Sequence, residues 1–103
     1  MKGNVNVTLF HWDSCGHCVR FMPIWKQIKK ESTPYNIFTF NEHEYSNLEK
    51  LKRKQRTIGG KQVDSFPTIK LEILGREYKY DGDRTNLDIY RYILAKLRHS
   101  LKK

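Results

Sequence analysis

Two cysteines are all that the chain's 103 residues contain, and both fall in one motif, Cys15-Gly16-His17-Cys18. That excludes a structural disulfide framework of the secreted kind, which needs several pairs spread along the chain. No apolar run approaches the length that spans a bilayer, so no membrane attachment is expected. Met1-Lys2-Gly3-Asn4-Val5-Asn6-Val7 has one basic residue and no apolar core of signal-peptide length. With the sparse cysteines, it leads to an expected cytosolic location. Repeats, linkers and low-complexity tracts are also missing, so a single domain over 1–103 is expected. Acidic residues are the last scarcity. Eleven Asp and Glu against twenty Lys and Arg leave a net charge of +9, a field that favours acidic partners.

What is present is two kinds of periodicity. Val5, Val7 and Leu9 alternate with Asn6, Thr8 and Phe10, as in a strand. Beyond Cys15 the period lengthens: Cys18, Phe21, Ile24, Trp25 and Ile28 make one helical stripe, with Ser14 placed to cap its start. Pro23 falls inside this helix and is expected to bend it, and Pro34 marks the exit. Asn36–Asn41 reads as a second strand. Ser46-Asn47-Leu48-Glu49 has the capping-box pattern and predicts a short helix to about Gln55, ended by Gly59-Gly60. Thr68–Leu74 and Arg76–Tyr80 predict an antiparallel hairpin around Gly75. Thr85-Asn86-Leu87-Asp88 opens a last helix with Leu87, Tyr90, Leu94, Leu97 and Leu101 at helical spacing.

The order β-α-β-α-β-β-α predicts an α/β fold with a four-stranded mixed sheet and helices on both faces. The cysteine pair then lies at the carboxyl end of the first strand, where open α/β sheets place their sites. Two thiols two residues apart at a helix start suit a reversible disulfide, because the helix terminus favours a thiolate.

These residues resemble the thioredoxin-like superfamily, and within it the thioredoxin domains of protein disulfide isomerases. Trp12-Asp13-Ser14-Cys15-Gly16-His17-Cys18 is similar to their active-site segment, and Cys-Gly-His-Cys is the isomerase variant of it. Phe21-Met22-Pro23-Ile24-Trp25 resembles their Leu-Ala-Pro-Glu-Trp. Ser65-Phe66-Pro67-Thr68-Ile69 resembles the aromatic-Pro-Thr segment, and Tyr80-Asp81-Gly82-Asp83-Arg84-Thr85 the Tyr-x-Gly-x-Arg-Thr run. The resemblance implies a minimal, glutaredoxin-sized thioredoxin fold and a dithiol–disulfide oxidoreductase acting on protein substrates. Cys15 would attack, Cys18 would resolve, and His17 would tune the thiol pKa. Pro67 would be cis, and Trp12 and Phe66 would contact substrate. No cofactor is implied beyond the Cys15–Cys18 disulfide. Protein thiols and disulfides are the implied partners of a monomer, with glutathione or a reductase exchanging electrons with the site.

Three departures stand out. Ser14 replaces the tryptophan usual before the first cysteine. Leu9 occupies the position of the family's buried acid, leaving Asp13 or Glu42 as replacements. The chain begins at the first strand of the motif. The glutathione signals of glutaredoxins are not evident, since Gly59-Gly60 precede Pro67.

Other readings are weaker. A purely structural cysteine pair would leave an exposed, activated thiol unused. A zinc site joining Cys15, Cys18 and His17 to His11 or His43 lacks the second ligand pair of structural zinc, so no metal is expected. Lys50, Lys52, Arg53, Lys54, Arg56 and Lys61 form a basic run, ordinarily a solvated face. As an alternative function, that run would make the domain a binding module for acidic proteins or nucleic acid.

Overall fold

A computed structural model describes residues 4–101. Met1, Lys2 and Gly3 of the opening segment, and the Leu101 side chain of the last apolar stripe, lie outside the described residues. Four strands form the main sheet: β1 (Val5–His11), β2 (Phe38–Glu44), β5 (Thr68–Ile73) and β6 (Arg76–Tyr80), in the order β2-β1-β5-β6. β1 and β2 run parallel, whereas β1–β5 and β5–β6 are antiparallel. A parallel pair needs a crossover, and α1 (Gly16–Ser32) supplies it. The second α-helix, α2 (Asn86–Leu101), packs beside α1 on the same face of the sheet.

The alternation in β1 decides both sides of the sheet. Val5, Val7 and Leu9 face the helices, buried with Ile69, Leu71 and Ile73 of β5 and with Phe21, Trp25 and Ile28 of α1. Each such side chain contributes about 1.5–3 kcal/mol relative to exposure. Phe10 faces the other way and packs with Leu48 and Val63. Lys70 points to that second side too. Although 2% exposed, its ammonium reaches Glu77 (3.3 Å), Glu72 (3.7 Å) and the Lys54 carbonyl (3.1 Å), so the buried charge is paired.

The second side differs most from the sequence reading. Instead of one capped α-helix through Gln55, two 3-10 turns, Tyr45–Lys50 and Arg53–Arg56, lead into a small ribbon of β3 (Thr57–Ile58) and β4 (Lys61–Gln62). The capping residue is Glu44, which accepts from the Ser46 N–H at 2.7 Å, so Ser46 sits inside the turn rather than at its start. Gly59 and Gly60, with φ of +57° and +83°, turn the ribbon rather than ending a helix. Ser14 likewise does not cap α1: the cap position is Cys15, and no side chain serves there. α1 runs on through Pro23 to Ser32.

In α2 the apolar stripe is rotated from the one expected. Ile89 and Ile93 are buried and Tyr90 and Leu97 half-buried, whereas Leu87 and Leu94 are exposed. Tyr90 explains the rotation: its hydroxyl donates to the Ile28 carbonyl at 3.1 Å and lies 3.3 Å from Ser32 Oγ, fixing α2 against α1. The start of α2 matches expectation, with Asp88 N–H donating to Thr85 Oγ1 at 3.2 Å and Thr85 Oγ1–H to Asp88 Oδ2 at 2.8 Å.

Candidate active site

Where β1 ends, the chain turns through Trp12–Ser14 and enters α1 at Cys15. The turn closes with the Cys15 N–H donating to the Trp12 carbonyl at 2.9 Å. It is pinned from β2 by one carboxylate. Glu44 accepts from Asp13 N–H at 2.8 Å and from Ser46 N–H and Oγ–H at 2.7 and 2.6 Å. The Ser46 hydroxyl and these N–H groups hold the Glu44 carboxyl down at about 2. Because the register sets His11 beside Glu44, His11 also reaches Asp13 at 3.4 Å. Among the described residues, His11, Asp13 and Glu44 are the one grouping of three ligand-type side chains within 4.8 Å. Among the described residues, the joining of both thiols with histidines considered above is not formed, and the His43 ring instead lies tilted beside Phe10, 5.7 Å between centroids.

The two thiols are unlike each other. Cys15 is half-buried at the helix start, whereas Cys18, one turn further, is 1% exposed. Cys15 lies below the usual thiol value chiefly because the Cys18 N–H donates to its sulfur. The Cys18 thiol, the His17 N–H and the Arg84 charge add to this, and partial desolvation opposes it. Burial pushes Cys18 up to about 11, against the Trp12 N–H, which donates to its sulfur at 3.4 Å. Among the described residues, the hydrogen bond to the Cys18 sulfur comes from the Trp12 N–H and not from a carboxylic acid. Glu42 stands next to Leu9 in register, but its Oε1 accepts from Trp25 Nε1 (2.9 Å) and Lys29 Nζ (3.0 Å). Asp13 points to solvent and His11. Neither candidate for the missing acid is engaged with the thiols.

Opposite the helix start lies the segment before β5. The Phe66–Pro67 bond is cis, and the Cys15 thiol donates to the Phe66 carbonyl at 3.5 Å. Tyr45 bridges two of the expected contact residues, its ring 5.2 Å from Trp12 and 5.4 Å from Phe66. Nothing in the spacing singles out Tyr45, which precedes the helix expected from Ser46 and is delivered as the first residue of the 3-10 turn. Trp25 and Phe21, 1% and 2% exposed, belong to the core.

Arg84 is delivered by a tight corner. Tyr80 is buried and its hydroxyl donates to the Asp83 carbonyl, while a Cβ on Gly82 would fall 2.6 Å from that hydroxyl. Only glycine fits. The corner sets Arg84 in the wall of the hollow containing Pro67 and of a second hollow containing His17.

The His17 ring does not address Cys15. Its Nδ1 accepts from Arg20 Nη2 at 2.9 Å, a bond that uses the lone pair a protonated ring lacks. What His17 contributes to the lowered Cys15 pKa comes from its backbone N–H, a smaller cause than the Cys18 N–H. His17→Ala is therefore expected to leave the thiol titration nearly in place, whereas His17→Pro removes the N–H and raises it. The proline variant becomes the more reducing, since only the thiolate of the reduced form is penalised, by about 30 mV for each factor of ten. Thiolate absorbance and glutathione equilibration on both variants check this. A large shift in the alanine variant would restore the role to the ring.

No family model matches the chain. Protein disulfide-isomerase 1 of Caenorhabditis elegans is 32% identical over 91 residues, 84% of this chain and 16% of that protein. The first thioredoxin domain of mouse protein disulfide-isomerase A4 superposes with a TM-score of 0.68 at 24% identity, covering 89% of this chain and 62% of that one. The chain is a thioredoxin-like domain of the disulfide-isomerase type. Fasciola hepatica thioredoxin shares the fold, with a TM-score of 0.66 at 21% identity over 91% of this domain and 82% of that chain. The domain spans less than a fifth of the length of the curated relatives it matches. Among the described residues, no helix is long and apolar enough to cross a membrane.

Proposed function

We propose that the domain exchanges disulfides with protein substrates through Cys15 and Cys18. The observation that carries this reading is the contrast between the two thiols: a half-buried Cys15 with a lowered pKa beside a buried Cys18 raised to about 11. In the reductive direction, the Cys15 thiolate attacks one sulfur of a substrate disulfide, forming the Cys15–substrate bond and releasing the other sulfur as thiolate. Cys18 then loses its proton and attacks Cys15, forming Cys15–Cys18 and releasing the second substrate thiolate. Two electrons pass to the substrate, and the reverse sequence oxidises a dithiol.

The lowered Cys15 pKa stabilises the reduced form and so favours an oxidising, isomerase-like couple. The high Cys18 pKa, with Glu42 and Asp13 engaged elsewhere, favours slow resolution. We place the domain in the cytosol, as a monomer, with glutathione or a reductase exchanging electrons with the site. Equilibration with glutathione buffers and insulin disulfide turnover test the proposal. The expected result is turnover with a potential nearer about −180 mV than about −270 mV. Absence of exchange would overturn the function, and a potential near the lower value would make the domain a reductase.

The basic run supports a second reading. Lys50, Lys52, Arg53, Lys54 and Lys61 are exposed, and among the described residues none of them forms an ion pair. A binding module would hold acidic ligands or DNA in a salt-sensitive way after loss of both cysteines. No binding at low salt would remove this reading.

A further inference from the structure

A hollow of about 180 Å³ lies against the first turns of α1, lined by His17, Arg20, Phe21, Ile24 and Arg84. Arg20 folds back toward the helix start, its Nη1 within 3.5 Å of the Cβ position of Gly16, while its Nη2 holds His17. Arg84 enters from the corner before α2, close enough for its charge to act on both thiols. The nearby acids are directed elsewhere or outside the lining: Asp81 faces Lys79 at 4.0 Å, Asp88 holds Thr85, and Asp83 is exposed outside the hollow. Among the described residues, neither arginine forms an ion pair. Two guanidinium groups over an apolar floor, at the helix start that carries Cys15, are thus left without an anion among the described residues.

Guanidinium forks match carboxylates, with two parallel N–H···O bonds and a charge that is never titrated away. We propose that Arg20 and Arg84 form a carboxylate site that selects disulfide partners carrying an acidic group close to the reacting sulfur. This rests on the redox reading above and narrows its substrate class. Two sources offer that chemistry: an acidic side chain beside a cysteine in a polypeptide, and the carboxylates of glutathione. Because the lining side chains His17, Arg20 and Arg84 are exposed, the preference is modest and screened by salt.

The test compares exchange rates for two disulfide peptides that differ only in Glu or Gln next to the cysteine, together with glutathione disulfide. The Glu peptide is expected to have the higher kcat/KM, by roughly three- to ten-fold at low salt, with the ratio falling toward one in high salt. Arg20→Gln should bring the ratio close to one, and Arg20→Lys should keep part of it. Arg98→Gln, which removes one positive charge from the far end of α2, should keep it in full. An equal fall in the Arg98 variant would overturn the local site in favour of the diffuse +9 field. If Arg20→Gln slows only the Glu peptide, the carboxylate comes from a polypeptide; if only glutathione disulfide slows, it comes from the small thiol. Equal Glu and Gln rates in an active domain, with glutathione disulfide exchange also unchanged by Arg20→Gln, overturn the carboxylate site alone. No exchange with any partner overturns the redox reading and this inference together.

Discussion

Cys15→Ser is expected to lose disulfide exchange down to the uncatalysed background, a fall of roughly 10³-fold or more, because a serine hydroxyl is no thiolate at neutral pH. Cys18→Ser should behave differently. Its Cys15 still attacks, but nothing resolves the bond, so the domain accumulates as a mixed disulfide detectable by the added mass of the substrate. The order of the two roles comes from the fold: Cys15 is half-buried at the helix start, whereas Cys18 is 1% exposed. Alkylation should follow the same asymmetry, with Cys15 labelled first and its rate rising through a pKa below the usual thiol value. Full turnover by Cys15→Ser, or trapping by Cys15→Ser rather than Cys18→Ser, would refute the assignment.

Trp25→Ala should cost about 3–5 kcal/mol of stability in denaturant unfolding, the range for removing a large buried aromatic side chain. Trp25 is 1% exposed, packs edge-on to Phe40 at 5.6 Å and donates its indole N–H to Glu42. Trp25→Phe keeps most of the apolar volume and leaves Glu42 with Lys29 as its partner. It should therefore lose much less. A loss below about 1 kcal/mol in the alanine variant would show that this end of α1 is not part of the core.

The legible parts of the chain were those where one pattern had one physical outcome. Alternation at Val5–Phe10 can place only one set of residues toward the helices, and the Cys18–Ile28 stripe follows a single helix face. The hairpin at Gly75 and the cap at Thr85 are equally local. The misread parts had two competing solutions. In α2, Ile89 and Ile93 compete with Leu87 and Leu94 for the sheet, and the choice is made by tertiary contacts such as the Tyr90 hydroxyl against α1. Around Ser46, a carboxylate two residues upstream took the capping role that the Ser-x-x-Glu spacing suggested for serine.

At the active site, the sequence located both thiols but not what surrounds them. Glu44 ends β2 and Tyr45 opens the 3-10 turn after it, both far along the chain, and they meet the 12–14 turn through the parallel register of β1 and β2. His17 was read from its side chain, whereas its contribution to Cys15 runs through the peptide N–H that any residue but proline would supply.

The separation of the two thiol pKa values also sets a proton inventory for the redox cycle. Between the lowered pKa of Cys15 and about 11 for Cys18, the reduced pair holds one proton, so closing the disulfide gives up two electrons and a single proton. The potential of such a couple falls by about 30 mV per pH unit, half the slope of a couple releasing one proton per electron. Within that window, against glutathione, which releases a full proton per thiol below its own pKa, the domain becomes relatively more oxidising as pH rises. Ambient pH, and not only the glutathione ratio, then helps to decide which way its electrons flow.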